Sequence, residues 1–179
     1  MAMSEALKPP ATEPAELIWH DGIPESSRFG DVYFNRDDGL SETRYVFIEP
    51  NKLRERFESV PNYGHFVVGE TAFGSGLSFL ATWAEWDTLT ANHAHSVLHF
   101  VSFERYPLTQ DALKRALSRW PELGPFTEQL VDQYPPLMKG VHRLVFNGGR
   151  VRLTLFFGEL KDGLNQLPFC ADAWFLDGF

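Results

Sequence analysis

The order of predicted elements, strand–helix–strand–helix–strand, makes this an α/β chain, most simply one with a doubly wound sheet. Three observations carry that expectation. "YGHFVVGE" is an apolar run that breaks into Gly74-Ser75-Gly76, and a helical pattern restarts directly behind the glycines. "SVLHFVSFE" (96–104) is a second apolar run, followed by the amphipathic "LTQDALKRALSRW". "VHRLVFNGGRVRLTLFFGE" places two apolar runs around Asn147-Gly148-Gly149, a strong hairpin signal.

Taken in order, residues 1–15 are polar and proline-rich and read as a disordered lead, with the ordered domain spanning 16–179. "DVYF" (31–34) and "TRYVFIE" (43–49) read as short strands joined by the turn-rich "NRDDGLSE", an N-terminal hairpin. "NKLRERFESV" places Leu53 and Phe57 at i, i+4, as a short amphipathic helix does. The run ending at Glu70 alternates little, as a strand buried on both faces would. Behind Gly76, Leu77, Leu80, Trp83 and Ala84 share one helical face.

Thr109 is a candidate cap for the next helix, whose apolar face holds Leu113, Ala116, Leu117 and Trp120. Its basic side chains Lys114, Arg115 and Arg119 read as a solvated face. "LKDGLNQL" suits a short helix and "DAWFLDGF" a final strand. The sequence given ends directly behind that strand, where an α/β sheet normally continues, so a sheet cut after its fourth core strand is expected.

Composition narrows the function. A chain of 179 residues, 44% hydrophobic and 15% aromatic, supports one domain with a substantial core. The net charge of -8 argues against a broad basic nucleic-acid surface. A single cysteine, Cys170, excludes an internal disulfide and suits a reducing cytoplasm. The polar start is no secretory signal, and no stretch reaches the length of a membrane span.

The glycine turn sets the chemistry. Gly74 and Gly76 allow backbone N–H groups to approach a ligand at a helix N-terminus. A dinucleotide fingerprint requires a third glycine, which is absent, and Glu70 beside the turn would repel a pyrophosphate. S-adenosylmethionine carries an ammonium and a sulfonium and no phosphate. Its usual acid-x-G-x-G-x-G turn is matched by Glu70, Gly74 and Gly76, with Ala72 in place of a glycine. Glu104, ending the next strand, suits the two ribose hydroxyls of an adenosyl ligand, a feature shared with nicotinamide enzymes. A nicotinamide dehydrogenase and a non-catalytic adenosyl-binding module stand as the alternatives.

"FGDVYF", "GLSETRYVFIEPNKLRERF", "GETAFGSGLSFL", "FVSFERYPLT", "RLTLFFGE" and "DAWFLDGF" together resemble, in order, the methyltransferase domain of the MnmC family of bacterial tRNA wobble-uridine modification proteins. The resemblance runs from about Trp19 to Phe179. It implies a Rossmann-like S-adenosylmethionine-dependent methyltransferase that converts 5-aminomethyl-2-thiouridine to its 5-methylaminomethyl form at the tRNA wobble position. In most members a flavin-dependent oxidoreductase domain, carrying FAD, supplies the amine; it has no counterpart in this sequence.

Carried over by motif, Glu70, Ala72, Phe73, Gly74 and Gly76 line the methionine and ribose side, and Glu104 takes the ribose hydroxyls. Glu159 and Leu160 fall on an adenine loop, where Glu159 alternatively serves only the start of a helix. Phe29, Asp31, Tyr33 and Phe34 lie near the pocket mouth, with Tyr33 counted among the cofactor contacts and Phe34 read as core. Asp177, at the C-terminal end of a strand, is the candidate general base for the attacking amine; its bland alternative is a turn residue before Gly178. His93, His95 and His99 crowd together in sequence, but a loop followed by a strand splits them, so no metal is expected.

Overall fold

Four parallel strands lie side by side in the computed structural model, which describes residues 11–178. They are β4 (His65–Glu70), β5 (Val97–Glu104), β7 (Val151–Phe157) and β8 (Ala173–Phe175), in the order β7-β5-β4-β8. The hairpin expected around Asn147 is present: β6 (Gly140–Phe146) pairs antiparallel with β7 at the outer edge. This is a Rossmann-like α/β sheet. Because β5 lies on one side of β4 and β8 on the other, the chain reverses direction across the sheet at β4. A crevice opens outside the carboxyl ends of the strands at such a reversal, and the site lies there.

Alternation along β5 separates two layers. Leu98 and Phe100 point into the main core with Phe57, Phe66, Trp83, Trp86 and Phe146. Val101 and Phe103 point the other way, into a smaller cluster with Phe156, Leu160, Leu167 and Phe169. The helices α3 (Leu77–Leu89), α4 (Gln110–Leu117) and α5 (Gly124–Gln133) feed the first layer, and α6 (Leu160–Gln166) covers the second. Leu77, Phe79, Leu80, Ala81, Thr82, Trp83 and Trp86 of α3 are all buried. The helix is therefore enclosed nearly all round, whereas the sequence suggested a single apolar face.

The N-terminal hairpin forms at a different place from the one expected. β1 (Leu17–His20) and β2 (Ile23–Ser26) pair around Asp21 and Gly22, both at positive φ, and β3 (Asp31–Val32) adds two residues to β2. The expected strand over 43–49 is instead helical: α1 (Gly39–Thr43) runs into a wider turn over Arg44–Ile48. The Asp38 carboxylate accepts from Ser41 N–H at 2.9 Å and caps α1. Leu40, Thr43 and Ile48 are buried while Tyr45 and Val46 are exposed, a helical spacing that overrides the strand preference of "RYVFI". Short α2 (Leu53–Glu58) buries Leu53 and Phe57 as expected.

The expected lead falls partly outside the described residues, at 1–10, as does Phe179 of the last strand. Its remaining part is tied to the domain, a correction to the reading of 1–15 as disordered. Thr12 N–H donates to Leu137 O at 3.0 Å, Ala15 N–H to Pro107 O at 3.1 Å, and Thr12 is buried. Its proline content removes donors but leaves these N–H groups free to pair. Two of the expected solvated arginines also have partners. Arg115 lies 3.9 Å over the Trp19 ring, and Arg119 donates to Asp21 O at 3.1 Å, fastening α4 to the small sheet. Among the described residues no helix is long and apolar enough to cross a membrane.

Thr109 caps α4 as its sequence suggests, its hydroxyl accepting from Ala112 N–H at 3.2 Å. Thr109→Ala should lower the free energy of unfolding in urea by about 1 kcal/mol, while Thr109→Ser should keep most of it. Equal stability of the alanine variant would remove the cap from the account.

Candidate active site

The turn behind β4 is held by backbone bonds within itself and to β5. Phe73 N–H donates to Phe103 O and Gly76 N–H to Phe73 O, each at 2.8 Å. Gly74 and Gly76 sit at φ +54° and +73°, where a side chain is strained. A Cβ at Gly76 would also meet the Phe73 ring at 2.7 Å, and one at Gly74 would touch the Tyr33 ring at 3.5 Å. α3 begins at once, so the turn opens into a cleft of about 1280 Å³ at the carboxyl ends of the strands.

Glu104 is built into that turn. Its Oε2 accepts from Gly74 N–H at 2.9 Å and its Oε1 from Tyr106 N–H at 2.7 Å. Burial pushes its carboxyl up from the ordinary range, and the backbone donors pull it back. Tyr33 lines the same wall; burial and then the Glu104 charge raise its phenol.

Glu70 takes a place the sequence did not foresee. It is 1% exposed and does not line the cleft. Its Oε1 accepts from the Ser78 hydroxyl in the first turn of α3, and its Oε2 from Ser102 Oγ of β5 at 2.7 Å. Burial pushes its pKa up to about 8, against the two hydroxyl bonds, and the charges of Asp177 and Glu104 add to the rise. Alternation along β4 sends Glu70 to the same face as Phe66 and Val68, under the first turn of α3. Of the residues read as lining the methionine side, Glu70 thus lies behind the cleft wall, and Gly76 supports the turn without lining the cleft.

Ala72, Phe73 and Gly74 line the cleft as expected, and so do Glu159, Leu160 and Asp177. Glu159 is already engaged: its carboxylate pairs with Arg105 Nε, also at the cleft wall. Leu160 opens α6 and packs on the Phe103 cluster. Phe29 and Asp31 stand at the mouth, while Phe34 is 6% exposed and packs edge-on against Trp120 at 4.7 Å, as a core residue.

Asp177 depends on Thr71, which the sequence reading passed over. The Thr71 hydroxyl donates to Asp177 O and accepts from Asp177 N–H at 2.9 Å, pinning the backbone on both sides of the aspartate. The Asp177 Oδ1 accepts from Gly178 N–H at 2.8 Å. A hydroxyl-bearing residue next to Glu70 was visible in the sequence, but its partner lies 106 residues away and nothing local announces it. The histidines part company. His95 stacks on Tyr63, His99 bonds Thr154 Oγ1 at 2.9 Å, and among the described residues no metal-binding cluster forms.

The balance of charge selects the kind of ligand. Asp31, Asp37, Glu42, Glu104, Glu159 and Asp177 line the cleft against Arg36 and Arg105. Both arginines face carboxylates, Arg36 with Glu25 at 3.6 Å and Arg105 with Glu159. Gly74 N–H, the donor that would meet a phosphate, is taken by Glu104. The residues present fit a cationic adenosyl ligand and oppose a pyrophosphate.

The comparisons agree with this geometry. Residues 121–179 match a family model described as S-adenosyl-L-methionine-dependent methyltransferase. A tRNA 5-methylaminomethyl-2-thiouridine biosynthesis bifunctional protein MnmC from Marinobacter nauticus is 62% identical over 174 residues, 97% of this chain and 28% of that protein. The protein of the same name from Aeromonas hydrophila is 53% identical over 92% of this chain and 26% of its own length. The chain thus spans little more than a quarter of these relatives. A crystal structure of MNMC2 from Aquifex aeolicus superposes on 98% of the chain and 51% of its own, with a TM-score of 0.62 at 16% identity, a likeness of fold.

The state of Glu70 should be visible in stability. Its folded pKa of about 8 stands above the ordinary 4.5, so the folded chain binds the proton more tightly than the unfolded one. The stability linked to this group is complete below about pH 4.5 and is lost as pH rises toward about 8. Glu70→Gln should flatten that part of the urea-unfolding profile, and an unchanged slope would contradict the buried, proton-holding carboxyl.

Proposed function

We propose that this chain, which belongs to the same family as the MnmC proteins above, methylates the primary amine of 5-aminomethyl-2-thiouridine at the tRNA wobble position, using S-adenosylmethionine. The observation that carries this reading is Glu104, tied to the glycine turn inside a cleft where carboxylates outnumber guanidiniums. S-adenosylmethionine supplies a methyl group activated on a sulfonium, with an adenosyl group for recognition.

Each oxygen of Glu104 accepts one backbone N–H and keeps capacity for a further donor, which suits the paired ribose hydroxyls. Tyr33 walls the turn, and Phe73 and Ala72 complete the methionine side. Glu159, bridged by Arg105, stands at the adenine side with Leu160 beneath. An alkyl amine has a pKa of about 10 and is mostly protonated at neutral pH. Asp177, held by Thr71 at the opposite rim, orients that amine and accepts its proton, so that the lone pair is free to attack. Alignment in the cleft supplies the rest of the acceleration.

The partners in this reading are tRNA and a flavin-dependent oxidoreductase, fused or separate, working in the cytoplasm. The net charge of -8 makes binding of tRNA by this piece alone weak and sensitive to salt.

Glu104→Ala should weaken S-adenosylmethionine binding by roughly ten- to a hundredfold in calorimetry, since stranded buried polar groups cost about 1–3 kcal/mol. Unchanged affinity would take Glu104 out of the site. Asp177→Asn should leave that affinity nearly unchanged while methyl transfer to tRNA bearing the aminomethyl uridine falls by ~10²-fold. The deficit should shrink with rising pH as free amine accumulates. Near-normal turnover at neutral pH would reduce Asp177 to a turn residue.

A further inference from the structure

Glu70 is a buried carboxyl for which the proposed chemistry has no direct use. It lies beneath the cleft floor at 1% exposure, and among the described residues no cation pairs with it. The charged groups that act on it are Asp177, behind β8, and Glu104, at the end of β5, both acidic. α3 offers it only the Ser78 hydroxyl, with no acidic residue in its first turn, and β5 offers only Ser102. Ser78 itself lines the cleft. One hydroxyl therefore connects the buried carboxyl to the space where a ligand sits.

We infer that Glu70, acting through Ser78 and beside Glu104 and Asp177, makes the cleft selective for the sulfonium-bearing cofactor over its neutral thioether product by exchanging a proton. The inference rests on the reading of the site as one for S-adenosylmethionine. In the empty cleft and with the thioether product, Glu70 keeps its O–H. With the sulfonium form present, the added positive charge stabilises the carboxylate. The O–H bond then breaks, the proton leaves by way of the Ser78 hydroxyl to solvent, and the carboxylate stays bonded to Ser78 and Ser102. After methyl transfer removes the sulfonium charge, Glu70 takes a proton back and the product loses its electrostatic advantage. The free group's pKa of about 8 puts this exchange within the working range of pH.

The direction follows from linkage. A ligand that favours the ionised form binds more weakly at low pH and reaches full affinity above the free pKa. Calorimetric titration of the chain with S-adenosylmethionine and with S-adenosylhomocysteine, in buffers of differing ionisation enthalpy, counts the protons released. With the wild-type chain, a fraction of a proton should be released for the sulfonium ligand near pH 7 and less for the thioether. The preference for the sulfonium ligand should grow about tenfold between roughly pH 6.5 and 8.5.

Each ligand's own amino group titrates against every variant alike, so comparison with Glu70→Gln isolates the carboxyl. That variant should show a smaller release and a preference that no longer varies through Glu70. If it fails to fold, Ser102→Ala serves in its place. Loss of one hydroxyl donor from the carboxylate should move the release to higher pH. The same proton count and pH dependence in Glu70→Gln, or an unmoved profile in Ser102→Ala, would overturn the inference. S-adenosylmethionine binding without proton release in the wild type would overturn it while leaving the cofactor reading intact. No binding of S-adenosylmethionine would overturn both.

Discussion

A buried carboxyl held by two hydroxyls joins the three elements on which the cleft depends. Glu70 closes β4, Ser102 belongs to β5 and Ser78 to α3, and one side chain bonds both hydroxyls. Burying such a group is costly unless its oxygens are satisfied, so the strand ends and the helix start are constrained together. The turn between them then has little freedom, and Gly74 presents its N–H to Glu104. On the far side Thr71 performs the equivalent task for Asp177. Hydroxyls and backbone N–H groups hold these three acids, and the space they enclose retains a negative character that a cationic ligand completes.

Much of the fold was legible because its strongest signals are local. β4, β5 and the β6–β7 hairpin are apolar runs, β4 entered from Gly64 and the hairpin turning at Asn147-Gly148-Gly149, and α4 has both a cap and a clear stripe. The segment 39–48 misled because "RYVFI" has strand composition, whereas its conformation is decided by the Asp38 cap and the burial of Leu40 and Ile48. The β1–β2 hairpin did have a signal, Asp21-Gly22, the residue pair that its positive-φ turn favours. α5 lacked one, since Gly124 and Pro125 open it and its burial depends on α3 and α4.

The site was legible by residue type and less so by direction. Ala72, Gly74, Glu104 and Asp177 reach the cleft as their motifs suggested. Glu70 belongs to the same motif, yet strand alternation turns it under the first turn of α3, and spacing alone does not reveal which hydroxyls await it. Glu159 was read as facing the adenine or serving the start of a helix, and Arg105 engages it from a loop 54 residues earlier. Long-range pairs of this kind carry no local pattern. They decide the electrostatics of the cleft all the same, because they determine which charges remain for a ligand.

The central claim is that the cleft at the carboxyl ends of β4, β5 and β8 accepts a phosphate-free adenosyl cation. Calorimetric competition between S-adenosylmethionine and NAD on the same chain tests it directly. The account predicts saturable binding of S-adenosylmethionine that NAD does not displace, because six cleft carboxylates and an occupied Gly74 N–H oppose a pyrophosphate. Binding of NAD in preference to S-adenosylmethionine would contradict it.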